Sequence, residues 1–408
     1  MWEQIRSNQF RSVVLVAGMA GLLLVIGYAI GVALLGSGIG GLIVALVVWG
    51  IMNMVAFFGG DSILLGMAKA KKISRDDHPR LYNVVEEMKI ASGLEKMPDI
   101  YIIDDPALNA FATGRDPKRA SVAITSGLLQ KLNRDELQGV IAHEMSHVKN
   151  RDVLLMSLCS ILLGTIVMLA WYATHMLFWS SMYGGRRSSS GGGQGQIIVL
   201  LVAIVLMILA PILAQLIYFA ISRRREYLAD ASAALYTRYP EGLASALEKL
   251  GASTGQLQTA NKATAPMYIV NPFRKKGRAA TDLSSTHPPL SERIRILRSM
   301  AGGASLGDYQ NAYLQVHQGG KAVIPGAALA GGAALAARGP ETVEKEPEKI
   351  ERVRETSDLL WKYSDHSLVN CACGTKLHVP RKFKGNTIRC PHCGRVNSLP
   401  IRKKKKRG

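Results

Sequence analysis

The chain has 408 residues, a formal net charge of +20, and 48% hydrophobic but only 20% charged residues. This balance favours a protein that inserts into a membrane over a wholly soluble one, and the length allows more than one structural unit. Four of the five cysteines lie after residue 370, which argues against a disulfide framework and favours metal binding in a reducing compartment.

Four charge-free apolar runs predict transmembrane helices at residues 13–35, 39–58, 153–179 and 197–221. Each run is long enough to cross a hydrocarbon core of about 30 Å as a helix. Buried core helices and a cleaved signal peptide are the alternative interpretations, but no small-residue cleavage site with polar flanks follows the first run. We therefore expect residues 1–60 to form two retained spans.

Basic residues beside the spans predict the orientation, because Lys and Arg near a span end are retained on the cytoplasmic side. They occur before the first span, after the second and after the fourth: Arg6, Arg11, Lys69, Lys71, Lys72, Arg75, Arg223, Arg224 and Arg225. Arg186 and Arg187, in the loop 180–196, oppose this assignment. Because the first group of basic residues is larger, the sequence predicts a multi-pass protein of the cell's inner (cytoplasmic) membrane, with the loop 180–196 outside and the C-terminus in the cytoplasm.

Between the spans the sequence predicts a soluble segment with a helix at 78–92, a strand at 100–103, a turn at 104–106 and an extended stretch at 121–125. Asn133 followed by Glu136 is a capping-box pattern, and an apolar stripe at helical spacing follows it. Further helices are expected at 226–236, 241–250 and 290–300.

The capped helix carries the pattern His143-Glu144-Met145-Ser146-His147. Two histidines at positions i and i+4 lie on one face of a helix, so both imidazoles can bind one zinc ion. Glu144 beside them can take the proton of a zinc-bound water that attacks an amide carbonyl, and can later deliver it to the leaving amine. A chance match on a helix surface is the alternative.

Glu226 is the predicted third metal ligand, and Asp230 one turn later is a predicted hydrogen-bond acceptor for a ligand histidine. Two spans separate His147 from Glu226, and an even number of crossings returns the chain to the same side of the membrane. Asp152 and Glu136 are rival ligands, although both share the histidine helix. A pair of solvated carboxylates beside the basic cluster is the alternative for Glu226 and Asp230.

Four short sequence blocks, together with their order along the chain, resemble the HtpX family of membrane heat-shock peptidases over residues 1–300. They are Leu108–Gly114 (LNAFATG), the His-Glu-x-x-His helix, Arg225–Asp230 (REYLAD) and Ser285–Ile294 (STHPPLSERI). The resemblance, shared more distantly with prenyl-protein endopeptidases, implies zinc-dependent endoproteolysis of membrane proteins with a cytoplasmic active site. It implies that His143, His147 and Glu226 are the ligands and Glu144 the base.

The same resemblance places His287 and Arg293 in a block that closes over the site. His287, held before Pro288 and Pro289, is a candidate donor to the oxyanion of the reaction, and a structural histidine in a tight turn is the alternative. Arg293 is expected to pair with Asp230 or Glu226. Asn109 and residues 120–125 resemble a substrate-binding segment in which an edge strand adds a peptide by main-chain hydrogen bonds. An ordinary sheet strand at 120–125 is the alternative.

The C-terminal part is expected to comprise a linker at 302–356, a zinc ribbon at 357–400 and a basic tail at 401–408. Four cysteines in two tight turns, Cys371, Cys373, Cys390 and Cys393, match a closed tetrahedral structural zinc site. The first turn has one residue between its cysteines where two are commoner, so His378 or His392 as a substitute ligand stays open, as does a disulfide pair.

The predicted fold is thus an α-helical integral membrane protein with four spans. An α+β zincin-like (gluzincin) domain at 61–301, interrupted by the third and fourth spans, is followed by the small zinc ribbon. The predicted function is a zinc endopeptidase for misfolded or surplus membrane proteins, with one catalytic and one structural zinc. A non-cleaving scaffold that binds lipid or nucleic acid is the alternative, and the intact ligands and base favour the enzyme. Beside four spans, the basic tail favours anionic lipid headgroups over nucleic acid.

Overall fold

The computed structural model describes residues 37–158, 223–272, 287–319, 322–340 and 346–399, with short gaps inside the second, fourth and fifth ranges, and part of 6–28. The predicted third and fourth spans lie outside the described residues, except that 152–158 are helical. The predicted first span is described only in part. The four-span arrangement therefore stays a prediction.

Helix α1, Gly38–Met67, contains the predicted second span and continues nine residues beyond it. Its 30 residues span about 45 Å at the rise of an α-helix. Within the described part of the chain it is the one helix long and apolar enough to cross a membrane. Its large apolar side chains, such as Ile39 and Phe58, are mostly exposed, as expected for a surface that faces lipid.

A four-stranded sheet follows α1. Its strands are β1 (Lys71–Lys72), β2 (Asp99–Ile103), β3 (Ala110–Gly114) and β4 (Ala120–Thr125), in the spatial order β1-β2-β4-β3. Strands β2 and β4 are parallel, and the other pairs are antiparallel. We expected strand β4 to lie at an edge of the sheet, but it is interior. Its outer side pairs with β3, a strand that the sequence did not predict.

Side chains alternate across this sheet, as the two-residue period of a strand requires. Val122 and Ile124 of β4 join the main core, whereas Ala123 joins a second cluster with Leu64 and Leu65 of α1. The sheet is therefore covered on one face by the helical layer and on the other by the end of α1.

The helical layer consists of α2 (Pro79–Ser92), α3 (Ser126–Lys131), α4 (Arg134–Lys149), α5 (Arg223–Thr237), α6 (Pro240–Ala252) and α7 (Leu290–Arg298). The predicted capping box of α4 is present, since Asn133 and Glu136 bond each other's backbone amides at 2.9 Å. Helix α4 is central and packs against α2, α5 and α6. Gly139 and Gly242 permit the approach to α6, because a Cβ atom on Gly139 would lie 2.7 Å from the Leu243 nitrogen.

Residues 302–356 differ from the linker that we expected. Helix α8 (Leu306–Val316) buries Tyr309 and Ala312 in the main core, followed by the short α9 (Gly326–Leu329). Arg224 Nε donates to the Val323 carbonyl at 2.8 Å, and Arg338 Nη2 bonds Asp135 at 2.8 Å. This segment therefore packs against helices α4 and α5. The Ala/Gly-rich and charged stretches that follow α8 in the sequence indicated a linker and gave no sign of that contact.

Helix α10, Lys349–Tyr363, crosses the expected boundary between linker and ribbon at residue 356. It packs against α3, buries Leu359 in the main core and reaches the start of the first ribbon strand. The ribbon has two hairpins, β5 (His366–Asn370) with β6 (Lys376–Pro380), and β7 (Thr387–Arg389) with β8 (Val396–Ser398). The basic tail lies outside the described residues.

Candidate metal centre

Helix α4 presents both motif histidines on one buried face. The Nε2 atoms of His143 and His147 lie 3.3 Å apart, and their rings meet edge to face. Both side chains are almost fully buried. This is the arrangement that the i, i+4 spacing predicted.

Glu226 reaches the same point from α5. Its Oε2 atom lies 3.5 Å from His143 Nε2, and its Oε1 atom lies 3.7 Å from His147 Nε2. One potential ligand atom from each of the three residues lies within 4.8 Å of the others. The predicted ligand set is therefore brought together by the packing of α5 on α4.

The second ring nitrogen of each histidine faces a carboxylate. His143 Nδ1 lies 2.9 Å from Asp230 Oδ1, and His147 Nδ1 lies 2.9 Å from Asp152 Oδ2. A carboxylate at Nδ1 keeps a proton on that nitrogen and leaves Nε2 free to bind metal. Asp230 thus occupies its predicted position. Asp152, the alternative candidate for a metal ligand, instead contacts Nδ1 of His147, the ring nitrogen that does not face the ligand group.

The chain turn after α4 explains how Asp152 reaches back. Arg151 has a φ of 57°, in the left-handed region, so the backbone reverses between the helix and Asp152. Sequence reasoning missed this role, and the available signal was a carboxylate three residues beyond the helix end at Lys149. The other rival, Glu136, bonds the Asn133 amide, Ser245 and Lys249 Nζ, and lies outside the ligand group.

Arg293 of α7 holds Asp230 in place. Its Nε and Nη2 atoms donate to the two carboxylate oxygens at 2.7 and 2.6 Å, and Nη1 donates to the Ile269 carbonyl at 3.3 Å. Such a two-pronged ion pair is geometrically specific. Although burial acts in the opposite direction, Arg293 and His143 lower the pKa of Asp230. The expected pairing of Arg293 with Asp230 is thus present.

The charges at the ligand group depend on one another. Burial disfavours the charged imidazolium, yet the hydrogen bond to Asp230 and the nearby Glu226 carboxylate raise the pKa of His143 to about 9. Burial also disfavours a charged Glu226, but His287, His143 and His147 hold the pKa of its carboxyl well below the ordinary range. A cation is therefore stabilised at this point, whether it is a proton or a metal ion.

Glu144 lies beside the ligands without joining them. It is 1% exposed, and its Oε1 atom has no hydrogen-bond partner in the described part of the chain. Burial raises the pKa of Glu144, although His143, His147 and the Ala112 backbone favour its charged form. A carboxylate of raised basicity with one free oxygen suits proton transfer.

The ligand residues fit a zinc ion by their donor chemistry. Two imidazoles and one carboxylate are the ligands of one common class of catalytic zinc site, which keeps a further position open. Glu226 Oε2, like Glu144 Oε1, is buried without a hydrogen-bond partner among the described residues. A buried charged oxygen left in this way is costly unless a ligand or ion satisfies it.

His287 and Asn109 are the remaining predicted site residues. His287 is 6% exposed, with Nε2 at 4.0 Å from Glu226 Oε2. Burial lowers the pKa of His287 to about 4 despite the nearby Glu226 carboxylate. The Asn109 amide Nδ2 donates to the Val270 carbonyl at 2.9 Å. In this structure Asn109 holds the segment beside β3, and its contact with substrate stays a prediction.

The ribbon cysteines form a second cluster. The Sγ atoms of Cys371 and Cys393 lie 3.5 Å apart, and those of Cys373 and Cys390 lie 3.7 Å apart. These separations exceed the bond length of a disulfide, about 2.05 Å, and suit thiolates around one ion with metal–sulfur distances of about 2.3 Å. His392 is exposed and lies outside this group. The His378 side chain lies outside the described part.

Comparison with known proteins gives one family. The family described as "Peptidase family M48" matches residues 75–301. "Protease HtpX homolog" of Dictyoglomus turgidum is 45% identical over 299 residues, which cover 73% of this chain and 94% of that protein. The protein of the same name from Syntrophobacter fumaroxidans is 44% identical over 295 residues, covering 72% and 99%. The crystal structure of S. mikatae Ste24p has a TM-score of 0.40 at 22% identity, covering 73% of this chain and 67% of that one.

Proposed function

Because this chain belongs to peptidase family M48 and is a metalloprotease, we propose that it is a zinc endopeptidase that cleaves misfolded or surplus membrane proteins. The observation that carries the proposal is the buried group of His143, His147 and Glu226, with the Glu144 Oε1 atom beside it, which has no hydrogen-bond partner among the described residues. The exposed apolar surface of α1 supports attachment to a membrane.

His143, His147 and Glu226 would hold the zinc ion, with Asp230 and Asp152 fixing the imidazole tautomers. When bound, zinc supplies Lewis-acid activation of water and of the scissile carbonyl. The protein environment contributes the dry surroundings in which such charges interact strongly.

Glu144 would act as the general base and then as the general acid. Its free Oε1 atom can accept the proton of the attacking water, because burial raises the pKa of this carboxyl. Once protonated, the same group can deliver the proton to the leaving amine. His287, whose Nε2 atom lies 4.0 Å from Glu226 Oε2, would donate to the oxyanion in the same step.

The substrate would bind along β3. This strand is at the edge of the described sheet and packs against α4, and its Ala112 backbone reaches Glu144. An extended peptide can add to such an edge by main-chain hydrogen bonds, which leave the choice of side chains loose. Asn109 would position the first residues of the strand by holding the 268–270 segment.

The proposed topology has four spans, with the catalytic group and the C-terminus in the cytoplasm and the loop 180–196 on the outer face. Single cysteines introduced into that loop should react with a membrane-impermeant maleimide in intact cells. A cysteine at exposed Glu95 should react only after permeabilisation. Labelling of both positions in intact cells would contradict the orientation.

The ribbon would hold a second, structural zinc through Cys371, Cys373, Cys390 and Cys393. The basic tail beyond it would add a weak attraction to anionic lipid headgroups. Neither element would take part in the proposed bond-cleaving step, because the ribbon cysteines form a group separate from His143, His147 and Glu226.

The test is Glu144→Gln in the full-length protein. This variant should keep both zinc ions, because all three ligands remain, and should lose cleavage of casein by about 10²–10⁴-fold, the usual contribution of a general base. Glu248→Gln, an exposed helix carboxylate, is the matched control and should retain activity. Undiminished turnover in Glu144→Gln would remove Glu144 as the base.

A further inference from the structure

A basic pocket lies beside the turn between β3 and β4. Its volume is about 1120 Å³, and its lining includes six cationic and two acidic side chains, a surplus of four positive charges. The cationic residues are Arg6, Arg115, Lys118, Arg119, Lys149 and Arg151. The proposed peptidase mechanism uses none of them.

Acidic neighbours neutralise only part of this charge. Lys118 Nζ lies 3.3 Å from Glu95, and Arg115 Nε lies 3.5 Å from Asp116. Among the described residues, no carboxylate pairs with the other three guanidinium groups, those of Arg6, Arg119 and Arg151. The pocket is therefore suited to an anion, and guanidinium groups match the paired oxygens of a phosphate.

The turn touches the end of the membrane-spanning helix. The Arg115 guanidinium lies 5.2 Å from the ring centroids of both Phe57 and Phe58. These two residues end the charge-free run 39–58, and Phe58 is 65% exposed. The end of a charge-free apolar span lies at the membrane–water interface, and the first charged residue after this run is Asp61. The rim of the pocket is therefore at the level of the lipid headgroups.

Two other segments that line the pocket also adjoin the ends of predicted spans, which places them at the same level of the membrane. Arg6 and Gln9 precede the apolar run that begins at residue 13, and Arg151 precedes the run that begins at 153. Parts of the chain that are far apart in sequence, each next to a span end, thus line one pocket. Random placement of surface lysines and arginines does not produce that coincidence.

We propose that this pocket binds the phosphodiester headgroup of an anionic phospholipid. The phosphate would lie among Arg115, Arg119 and Arg151, and the acyl chains would lie along the exposed face of α1 near Phe57 and Phe58. Binding would fix the β3–β4 turn, and with it the edge strand beside Glu144, at the membrane surface. The inference rests on the proposed membrane insertion and does not depend on cleavage.

The test uses the full-length protein in nanodiscs of phosphatidylcholine with about 30 mol% phosphatidylglycerol, an anionic lipid. Lipids that stay bound after transfer to detergent are counted by native mass spectrometry. The wild type should retain phosphatidylglycerol in preference to phosphatidylcholine. The double variant Arg115→Gln/Arg119→Gln should lower that preference by at least about tenfold, and Arg115→Lys/Arg119→Lys should restore most of it.

The matched control is Lys131→Gln/Arg295→Gln, which removes two exposed charges outside the pocket. It should keep the preference, as should removal of residues 401–408. Unchanged zinc content in every variant shows that the fold is intact. Three results would overturn the proposal: wild-type preference in the double variant, loss of preference on removing the tail alone, or complete displacement of the lipid by millimolar inorganic phosphate or an oligonucleotide.

Discussion

His147 Nδ1 lies 2.9 Å from Asp152 Oδ2, and this pair repeats the contact of His143 Nδ1 with Asp230 Oδ1 at the same distance. Both carboxylates lie on the side of the rings away from Glu226. Each histidine therefore presents Nε2 to the ligand group, and the two tautomers are fixed by residues from different parts of the chain.

Asp152→Ala should weaken zinc binding at the catalytic site by about 10–100-fold without abolishing it, as is typical when a hydrogen-bond partner of a ligand histidine is lost. Competition with a chromogenic chelator measures the affinity. Glu226→Ala, which removes a ligand, should leave the catalytic site empty even at zinc concentrations that saturate Asp152→Ala. An equally severe loss in both variants would make Asp152 a ligand.

Removal of the ribbon should leave catalysis intact only if α10 is kept. A chain that ends at residue 363 retains Leu359, which is 2% exposed, and should cleave a small soluble peptide at nearly the wild-type rate. A chain that ends at residue 345 loses α10, and the burial of Leu359 alone is worth about 1.5–3 kcal/mol. It should have a lower Tm and lower activity. Equal Tm values for the two truncations would show that α10 does not stabilise the catalytic domain.

Acid should loosen the contact between α10 and the catalytic domain through Asp77. This carboxylate accepts bonds from Lys362, from the Tyr363 hydroxyl at 2.7 Å and from Ser74. Although burial opposes it, these bonds hold the pKa of Asp77 well below the ordinary aspartate value. A depressed pKa in the folded state means that the stabilisation is complete above about pH 3.9 and is lost as the pH falls further.

Thermal unfolding of wild type and Asp77→Asn should therefore differ at pH 7 and converge as the pH falls below about 4. Asp104→Asn, at an exposed turn position, is the control and should follow the wild type throughout. A constant difference between wild type and Asp77→Asn down to pH 2.5, about one unit below the ordinary pKa, would contradict the role of this carboxylate.

Cys390→Ser should remove one zinc per chain and leave the catalytic zinc in place. Cys390 is buried and its sulfur lies 3.7 Å from that of Cys373, so loss of one thiolate opens a closed site. Atomic emission analysis should fall from two zinc ions to one, with soluble-peptide cleavage retained. Thiol titration of the denatured wild type should find these cysteines reduced, and an oxidised pair would favour the disulfide alternative.

The amino-acid sequence alone predicted the helix of His143, Glu144 and His147 and its capping box, because both depend on contacts within a few residues. It also identified Glu226 and Asp230, since a helix places residues four apart on one face. The ribbon cysteines could also be predicted, because each of the two tight turns that hold them is formed by a few consecutive residues.

Packing between distant segments sets three features that the sequence did not predict: which carboxylate bonds His147, which strand forms the edge of the sheet, and where residues 302–363 pack. Asp152 reaches His147 through a backbone reversal at Arg151, and β3 becomes the edge because β4 pairs on both sides. Apolar residues of the expected linker, such as Tyr309 and Ala312, are buried against surfaces far away in sequence, and so is Leu359 of the expected ribbon. Local periodicity determines which segments become helices or strands, but the pairing of distant segments depends on packing that no short pattern encodes.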